Sequence, residues 1–167
     1  MNLYKFDKLI SEARRLAKDY RDATGKPLAG VSGEIALHDA AHLLGLELCE
    51  TPQGGYDAIG RGRRDGLKVQ IKGRAILDES KSGQRIGQLK TEQEWDLVVL
   101  VLFDANFEPV EIYEADREEI TTALDNGGRR NKRGAMTVAK FKIIGRLAWT
   151  REDGLEDDVW DNQSHDE

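Results

Sequence analysis

Hydrophobic residues recur at two different spacings along this chain, and each spacing predicts a different kind of element. Over residues 3–20 they recur every three or four positions, which predicts an amphipathic helix. A second helix is expected from about Gly33, with Ser32 as its N-cap, to Gly45. Residues 95–103 are almost continuously apolar and rich in valine and leucine, which is typical of a strand buried on both faces of a sheet.

Shorter hydrophobic runs predict four further strands. They lie at 46–49, 56–59, 67–72 and 110–113, and the glycine-rich segment 60–66 is expected to turn the chain between the second and the third. The last of these runs alternates apolar and polar residues, so it is expected to pair with the buried strand that precedes it.

Two more helices are expected in the second half of the chain. Asp116 and Glu119 have the spacing of a capping box, and residues 136–145 favour a last short helix, although a strand is the alternative there. No internal repeat or linker is evident in the sequence. We therefore predict one α/β domain over residues 1–150, followed by an acidic tail over 151–167 that is expected to be flexible.

Composition narrows the class of protein. The chain has 167 residues, of which 39% are hydrophobic and 34% charged, and no apolar run approaches the roughly 18 residues of a membrane span. Cys49 is the single cysteine, which excludes an internal disulfide and a zinc site with several cysteines. The first residues lack the apolar core of a signal peptide. We therefore expect a cytoplasmic protein with no membrane partner.

The net charge of −6 is unevenly distributed. Residues 152–167 hold eight of the 31 acids and no lysine or arginine, which leaves 23 acids against 25 bases in the rest of the chain. Segregated charge allows one face to bind phosphates despite a low overall pI, whereas solvated loops are the alternative explanation. The bases form two clusters: Arg61, Arg63, Arg64 and Lys68 in the first, and Arg129, Arg130, Lys132 and Arg133 in the second.

Candidate chemistry lies on two of the predicted strands. Gln70 and Lys72 are two residues apart and therefore point to the same face of their strand, and Asp57 on the preceding strand can reach that face. Metal-dependent phosphodiester cleavage needs an anionic ligand, a second oxygen ligand and a cation near the attacking water. Exposed strand positions for Gln70 and Lys72, with a turn role for Asp57, are the alternative.

These residues, with a helix that opens at Gly33 and Glu34, resemble the PD-(D/E)XK nuclease superfamily, which has the restriction-endonuclease-like fold. The resemblance covers residues 33–113 and implies a mixed central β-sheet flanked by helices, in the order αβββαβ. Tyr56 stands where the motif has proline. Position 70 of this chain carries an amide where most members have an acid, although some members are similar in carrying glutamine there.

The resemblance implies roles for individual residues. Asp57 would be the first metal-binding acid, Gln70 the second ligand, Glu34 the additional helical acid and Lys72 the catalytic lysine. The metal would be Mg²⁺, with Mn²⁺ as an alternative, because hard cations prefer oxygen ligands. Taken alone, Glu34 is equally a helix N-terminal acid that is favourable with the helix dipole.

The function implied is a DNA-binding, Mg²⁺-dependent phosphodiesterase acting in prokaryotic restriction, repair or mobile-element processing. Double-strand cutting by this fold commonly needs two active sites, which a homodimer would supply. The alternative is a catalytically inactive nucleic-acid-binding or interaction protein on the same fold. Basic residues expected to contact nucleic acid are Arg61, Arg63, Arg64, Lys68, Arg74, Lys81 and Arg85.

A second metal motif is weaker. His38 and His42 lie four residues apart on the second predicted helix, which is a zinc-ligand spacing. A zinc protease needs glutamate beside the first histidine, and Asp39 stands there instead. A stripe of Glu34 and His38 facing the catalytic cleft is the other interpretation.

Overall fold

The computed structural model describes residues 3–51, 54–76, 84–126 and 135–156, which form four α-helices, one 3₁₀ helix (Gly62–Arg64) and nine strands. The helices are α1 (Leu3–Thr24), α2 (Val31–Leu44), α3 (Arg117–Asn126) and α4 (Val138–Ile144). The strands are β1 (Glu47–Leu48), β2 (Ala58–Ile59), β3 (Lys68–Ala75), β4 (Arg85–Gln88), β5 (Leu97–Phe103), β6 (Pro109–Asp116), β7 (Ala135–Thr137), β8 (Arg146–Thr150) and β9 (Gly154–Leu155).

Seven of the strands form one mixed sheet in the order β1-β2-β3-β5-β6-β8-β9. The central pair β3–β5 is parallel, with Gln70 beside Val98, and the other five pairs are antiparallel. Strands β4 and β7 form a separate two-stranded sheet. The expected α/β class with a mixed central sheet is therefore confirmed.

Helices cover both faces of the central sheet. Every residue of β5 is buried, and its alternate side chains enter two separate hydrophobic cores, as the sequence predicted. Leu97, Val99 and Val101 pack with α1 and α2 on what we call the α2 face. Val98 and Leu100 pack with α3, α4 and β4 on the α3 face. Because β5 is buried on both sides and pairs in parallel with β3, it holds β3 in the middle of the sheet.

Helix α2 lies unusually close to β3. A Cβ atom added at Gly73 would lie 2.6 Å from the Cβ of Ala36 and 2.9 Å from the ring of Phe103, so only glycine fits there. The α2 face of β3 is therefore filled by packing, and the opposite face is the one available for chemistry.

The start of α2 differs from the prediction. Ser32 was expected as the N-cap, but Val31 is the first helical residue and Gly30 precedes it without a side-chain cap hydrogen bond. Gly30 has φ +85°, a conformation that glycine adopts without strain, and this sets the entry into the helix. Gly45 ends α2 in the left-handed conformation, as expected.

The capping box of α3 is confirmed. The Glu119 N–H donates to Asp116 Oδ1 at 2.8 Å, and the Asp116 N–H donates to Glu119 Oε1 at 3.2 Å. The last short helix is also present as α4, where Thr137 Oγ1 accepts from the Lys140 N–H at 3.1 Å.

Two features of the fold were not expected. The connection from β3 to β5 should contain a helix in the order αβββαβ, but its described part, residues 84–96, forms β4 and a loop; residues 77–83 lie outside the described residues. Residues 151–156, at the start of the expected tail, form a turn and β9, which pairs with the end of β8. The remainder, 157–167, is also outside the described residues. None of the described helices is long and apolar enough to cross a membrane.

Candidate active site

The candidate residues of β3 lie together on the α3 face of the sheet. Gln70, Lys72 and Arg74 stand beside Val98, Leu100 and Leu102 of β5, whose side chains belong to the core on that face. Strand β2 pairs with only the first two residues of β3. The sheet edge beside Lys72 and Arg74 is therefore not covered by β2.

Asp57 is held at the beginning of β2 by three hydrogen bonds. Its N–H donates to the Val69 carbonyl at 2.8 Å, and its own carbonyl accepts from the Cys49 N–H at 2.9 Å. Carboxylate oxygen Oδ2 accepts from the Ile71 N–H at 2.8 Å. The Asp57 carboxylate thus lies beside Ile71, the residue that separates Gln70 from Lys72 on β3. The expectation that Asp57 reaches the face of Gln70 and Lys72 stays a prediction.

Gln70 carries the most unusual polar atom of the site. Its side chain is only 9% exposed, and Nε2 donates to the Gly55 carbonyl at 3.1 Å. The other end, Oε1, is buried and has no hydrogen-bond partner among the described residues. Leaving such an acceptor unsatisfied costs about 1–3 kcal/mol, so it calls for a donor or a cation.

The contact with Gly55 explains why position 70 carries an amide. A carboxylate has no proton to donate to a carbonyl oxygen, whereas glutamine offers a donor and an acceptor at once. Gln70 therefore fixes the loop before Asp57 with one end and directs an oxygen into the site with the other.

Lys72 is half-buried beside several charges. Burial lowers the pKa of its ammonium group, the nearby Arg74 and Lys90 lower it further, and Asp57 opposes them. Among the described residues, the charges that act on Lys72 are those of Arg74, Asp57 and Lys90.

Arg74 is also half-buried, and burial lowers its pKa. Its Nε donates to the Arg85 carbonyl at 2.8 Å and its Nη1 to the Gly73 carbonyl at 2.6 Å. Within the described ranges it forms no ion pair with a carboxylate. This arginine therefore keeps its charge with only carbonyl oxygens as partners.

Glu34, the fourth predicted ligand, is placed differently. It is exposed in the first turn of α2, which packs on the opposite face of the sheet. The part of the chain that the structure describes contains no cluster of three or more His, Cys, Asp and Glu residues that could hold a metal.

The first basic cluster is largely engaged in ion pairs. Arg61 pairs with Glu47, and Lys68 pairs with Glu94. Arg64, expected at a flexible hairpin tip, is only 6% exposed and donates from Nε to a Glu114 carboxylate oxygen at 2.6 Å.

The remaining basic residues have varied positions. Arg63 is exposed at the mouth of a 330 Å³ cleft, and Arg85 is exposed on β4. Lys81 and the whole second cluster, 129–133, lie outside the described residues.

The histidine motif faces α1 and not the site. The His38 ring packs 5.2 Å from the Phe6 ring and 6.2 Å from the parallel ring of His42, measured between centroids. Asp39 is buried and forms a two-pronged ion pair with Arg14, with 2.7 Å between Oδ2 and Nη1. These residues join α1 to α2, and the idea of a Glu/His stripe facing the catalytic cleft was wrong.

Two contributors to the site were not identified from sequence. Gly55 supplies the carbonyl that orients Gln70, and Lys90 adds a third positive charge. The Gly54-Gly55 pair before Asp57 signalled only a turn. Lys90 is 18 residues from Lys72 in the chain, and no local pattern could connect them.

No protein-family model matches this chain, and no curated protein matches its sequence.

Proposed function

We propose that this chain binds nucleic acid, most plausibly DNA, and hydrolyses phosphodiester bonds with Mg²⁺ or Mn²⁺ at Asp57, Gln70 and Lys72. On this proposal the α/β sheet is a variant of the restriction-endonuclease-like fold. The observation that carries the proposal is the buried Oε1 of Gln70, which has no hydrogen-bond partner among the described residues. Gln70 shares a face with Lys72, and the Asp57 carboxylate is held at Ile71, between the two.

The residues fit a hard divalent cation. The Asp57 carboxylate is held at the Ile71 N–H, next to Gln70 along β3, and one ion would be shared by this carboxylate and Gln70 Oε1. With one formal negative charge, this pair suits a single ion better than two. Glu34, exposed on α2, would be an additional ligand. A bound metal would activate water and offset the charge that develops on the phosphate.

The chain's own residues would orient the reaction. The Ile71 N–H fixes Asp57, and the Gly55 carbonyl fixes Gln70, so neither group has to reorganise when substrate binds. Lys72 would hold a phosphate oxygen through Nζ. Because burial and its cationic neighbours lower its pKa, Nζ could also accept a proton from the attacking water more readily than a free lysine could.

The test is cleavage of plasmid, single-stranded DNA and RNA in Mg²⁺ or Mn²⁺ by wild type and Lys72→Ala, with binding followed in parallel. Lys5→Ala, an exposed position on α1, is the matched control. We expect cleavage by wild type and control, and a loss of 10²-fold or more in Lys72→Ala with binding retained, the order typical of a general acid–base group. Equal cleavage by all three proteins would contradict the assignment.

One observation favours a second function, that of a binding protein without cleavage. Among the described residues, one carboxylate (Asp57) and two cations (Arg74 and Lys90) act on Lys72, a charge balance suited to holding phosphates but weak for holding a metal. Salt-sensitive binding by wild type and Lys72→Ala, with cleavage by neither, would favour this function.

A further inference from the structure

The guanidinium of Arg74 is fixed by hydrogen bonds to the backbone, unlike that of an ordinary surface arginine. Two carbonyl oxygens fix Nε and Nη1, so the plane of the guanidinium is set before any ligand arrives. A Cβ added at Gly87 would lie 3.2 Å from Arg74 Nη2, and Gly87 has φ +82°. The backbone of β4 therefore makes room for this guanidinium by using glycine.

A purely structural role explains only part of this arrangement. The bond to the Arg85 carbonyl joins β3 to β4, but a neutral donor could make the same contact. It does not explain why Arg74 and Lys90 lie close enough to Lys72 for their positive charges to interact with its ammonium group. Among the described residues, three cations gather near one carboxylate, an arrangement that a bound anion would stabilise, and a fixed arginine fork matches the oxygens of a phosphate.

The spacing along β3 indicates how such an anion would be arranged. Lys72 and Arg74 are two residues apart on one face, about 6.6 Å at the usual rise of a strand. One nucleotide of an extended backbone covers a similar length. A strand of nucleic acid that places one phosphate at Lys72 can thus place the next at Arg74.

We propose that Arg74, assisted by Lys90, binds the phosphodiester adjacent to the one held at Asp57, Gln70 and Lys72. The inference rests on the proposed function and sharpens its substrate class to nucleic-acid strands with at least two consecutive phosphates. Arg74 is then a substrate-positioning residue that does not act on the scissile bond.

The test compares a substrate with one phosphate against a substrate with many. Wild type and Arg74→Gln are assayed on bis(4-nitrophenyl) phosphate and on a single-stranded thymidine decamer. Arg15→Gln, an exposed arginine on α1, is the matched control. We expect Arg74→Gln to lower kcat/KM on the decamer at least tenfold more than on the one-phosphate diester, because the changed charge around Lys72 affects both substrates alike. Equal losses on both substrates, or no loss on the decamer, would overturn the proposal.

Two further measurements apply if Arg74→Gln does not fold or if wild type cleaves neither substrate. Lys90→Gln alters an exposed side chain and should reproduce the pattern with a smaller loss if Arg74→Gln does not fold. If wild type cleaves neither substrate, the proposed function fails, and the inference is judged by decamer binding. The slope of log affinity against log salt should then fall in Arg74→Gln by about one phosphate contact, and an unchanged slope would overturn it.

Discussion

Replacing Gln70 by methionine distinguishes a structural role of this glutamine from a role in binding a ligand. Methionine has nearly the same shape but offers neither the donor nor the acceptor. The variant loses the hydrogen bond from Nε2 to the Gly55 carbonyl, worth about 0.5–1.5 kcal/mol. It also removes the unpartnered Oε1, which relieves about 1–3 kcal/mol of desolvation.

The two effects nearly cancel, so Gln70→Met should have a free energy of unfolding within about 1 kcal/mol of wild type when EDTA is present. Urea unfolding followed by tryptophan fluorescence measures this, since Trp95 is almost fully buried. Gln88→Met, at an exposed position on β4, is the matched control.

Magnesium should then distinguish the two proteins. An ion that binds only the folded state stabilises it by about 2.7 kcal/mol at 100 times its Kd. We expect this gain in wild type and in Gln88→Met, and its loss in Gln70→Met. Destabilisation of Gln70→Met by more than about 2 kcal/mol in EDTA would mean that Oε1 has a protein partner. An equal gain with Mg²⁺ in all three proteins would refute the role of Gln70 as a ligand.

Two other predictions concern ion pairs outside the site. Arg14→Met should cost about 3–5 kcal/mol of unfolding free energy, because it leaves buried Asp39 unpaired, and a double-mutant cycle with Asp39→Leu should recover most of the loss. Burial alone would raise the pKa of Asp104, but the hydrogen bond from Arg151 and two backbone N–H donors lower it below its ordinary 3.8. The stability this contributes is present above that value and is lost as pH falls through the lower folded pKa. The stability difference between wild type and Asp104→Asn should therefore shrink below about pH 4, and a difference that does not vary with pH would contradict the pairing.

The elements that the sequence predicted well are those with local signals. The uninterrupted apolar run of β5, the capping box at Asp116 and the glycine that ends α2 each depend on residues a few positions apart. The two-stranded sheet was missed for the opposite reason. Its strands have four and three residues, and Arg85 pairs with Thr137 across 52 positions of sequence, so neither carries a pattern of its own.

The residues of the candidate site likewise include some that local sequence patterns predict and some that depend on distant contacts. Gln70 and Lys72 share a face because strand side chains alternate, which the sequence alone predicts. Arg64 was expected in solvent and is buried, because its partner Glu114 is 50 residues away and no local rule brings them together. Glu34 lies on the correct helix, but only the packing of α2 determines the face of the sheet that this helix covers.

The central claim, a phosphodiesterase site that depends on the Asp57 carboxylate, is tested most directly by Asp57→Asn. The asparagine keeps an oxygen to accept the Ile71 N–H, so the fold should persist while the charge is lost. Asp65→Asn, at an exposed turn position, makes the same change in charge away from the site. We predict Mg²⁺-dependent DNA cleavage by wild type and Asp65→Asn, and none by a folded Asp57→Asn. Cleavage by Asp57→Asn at the wild-type rate would contradict the account.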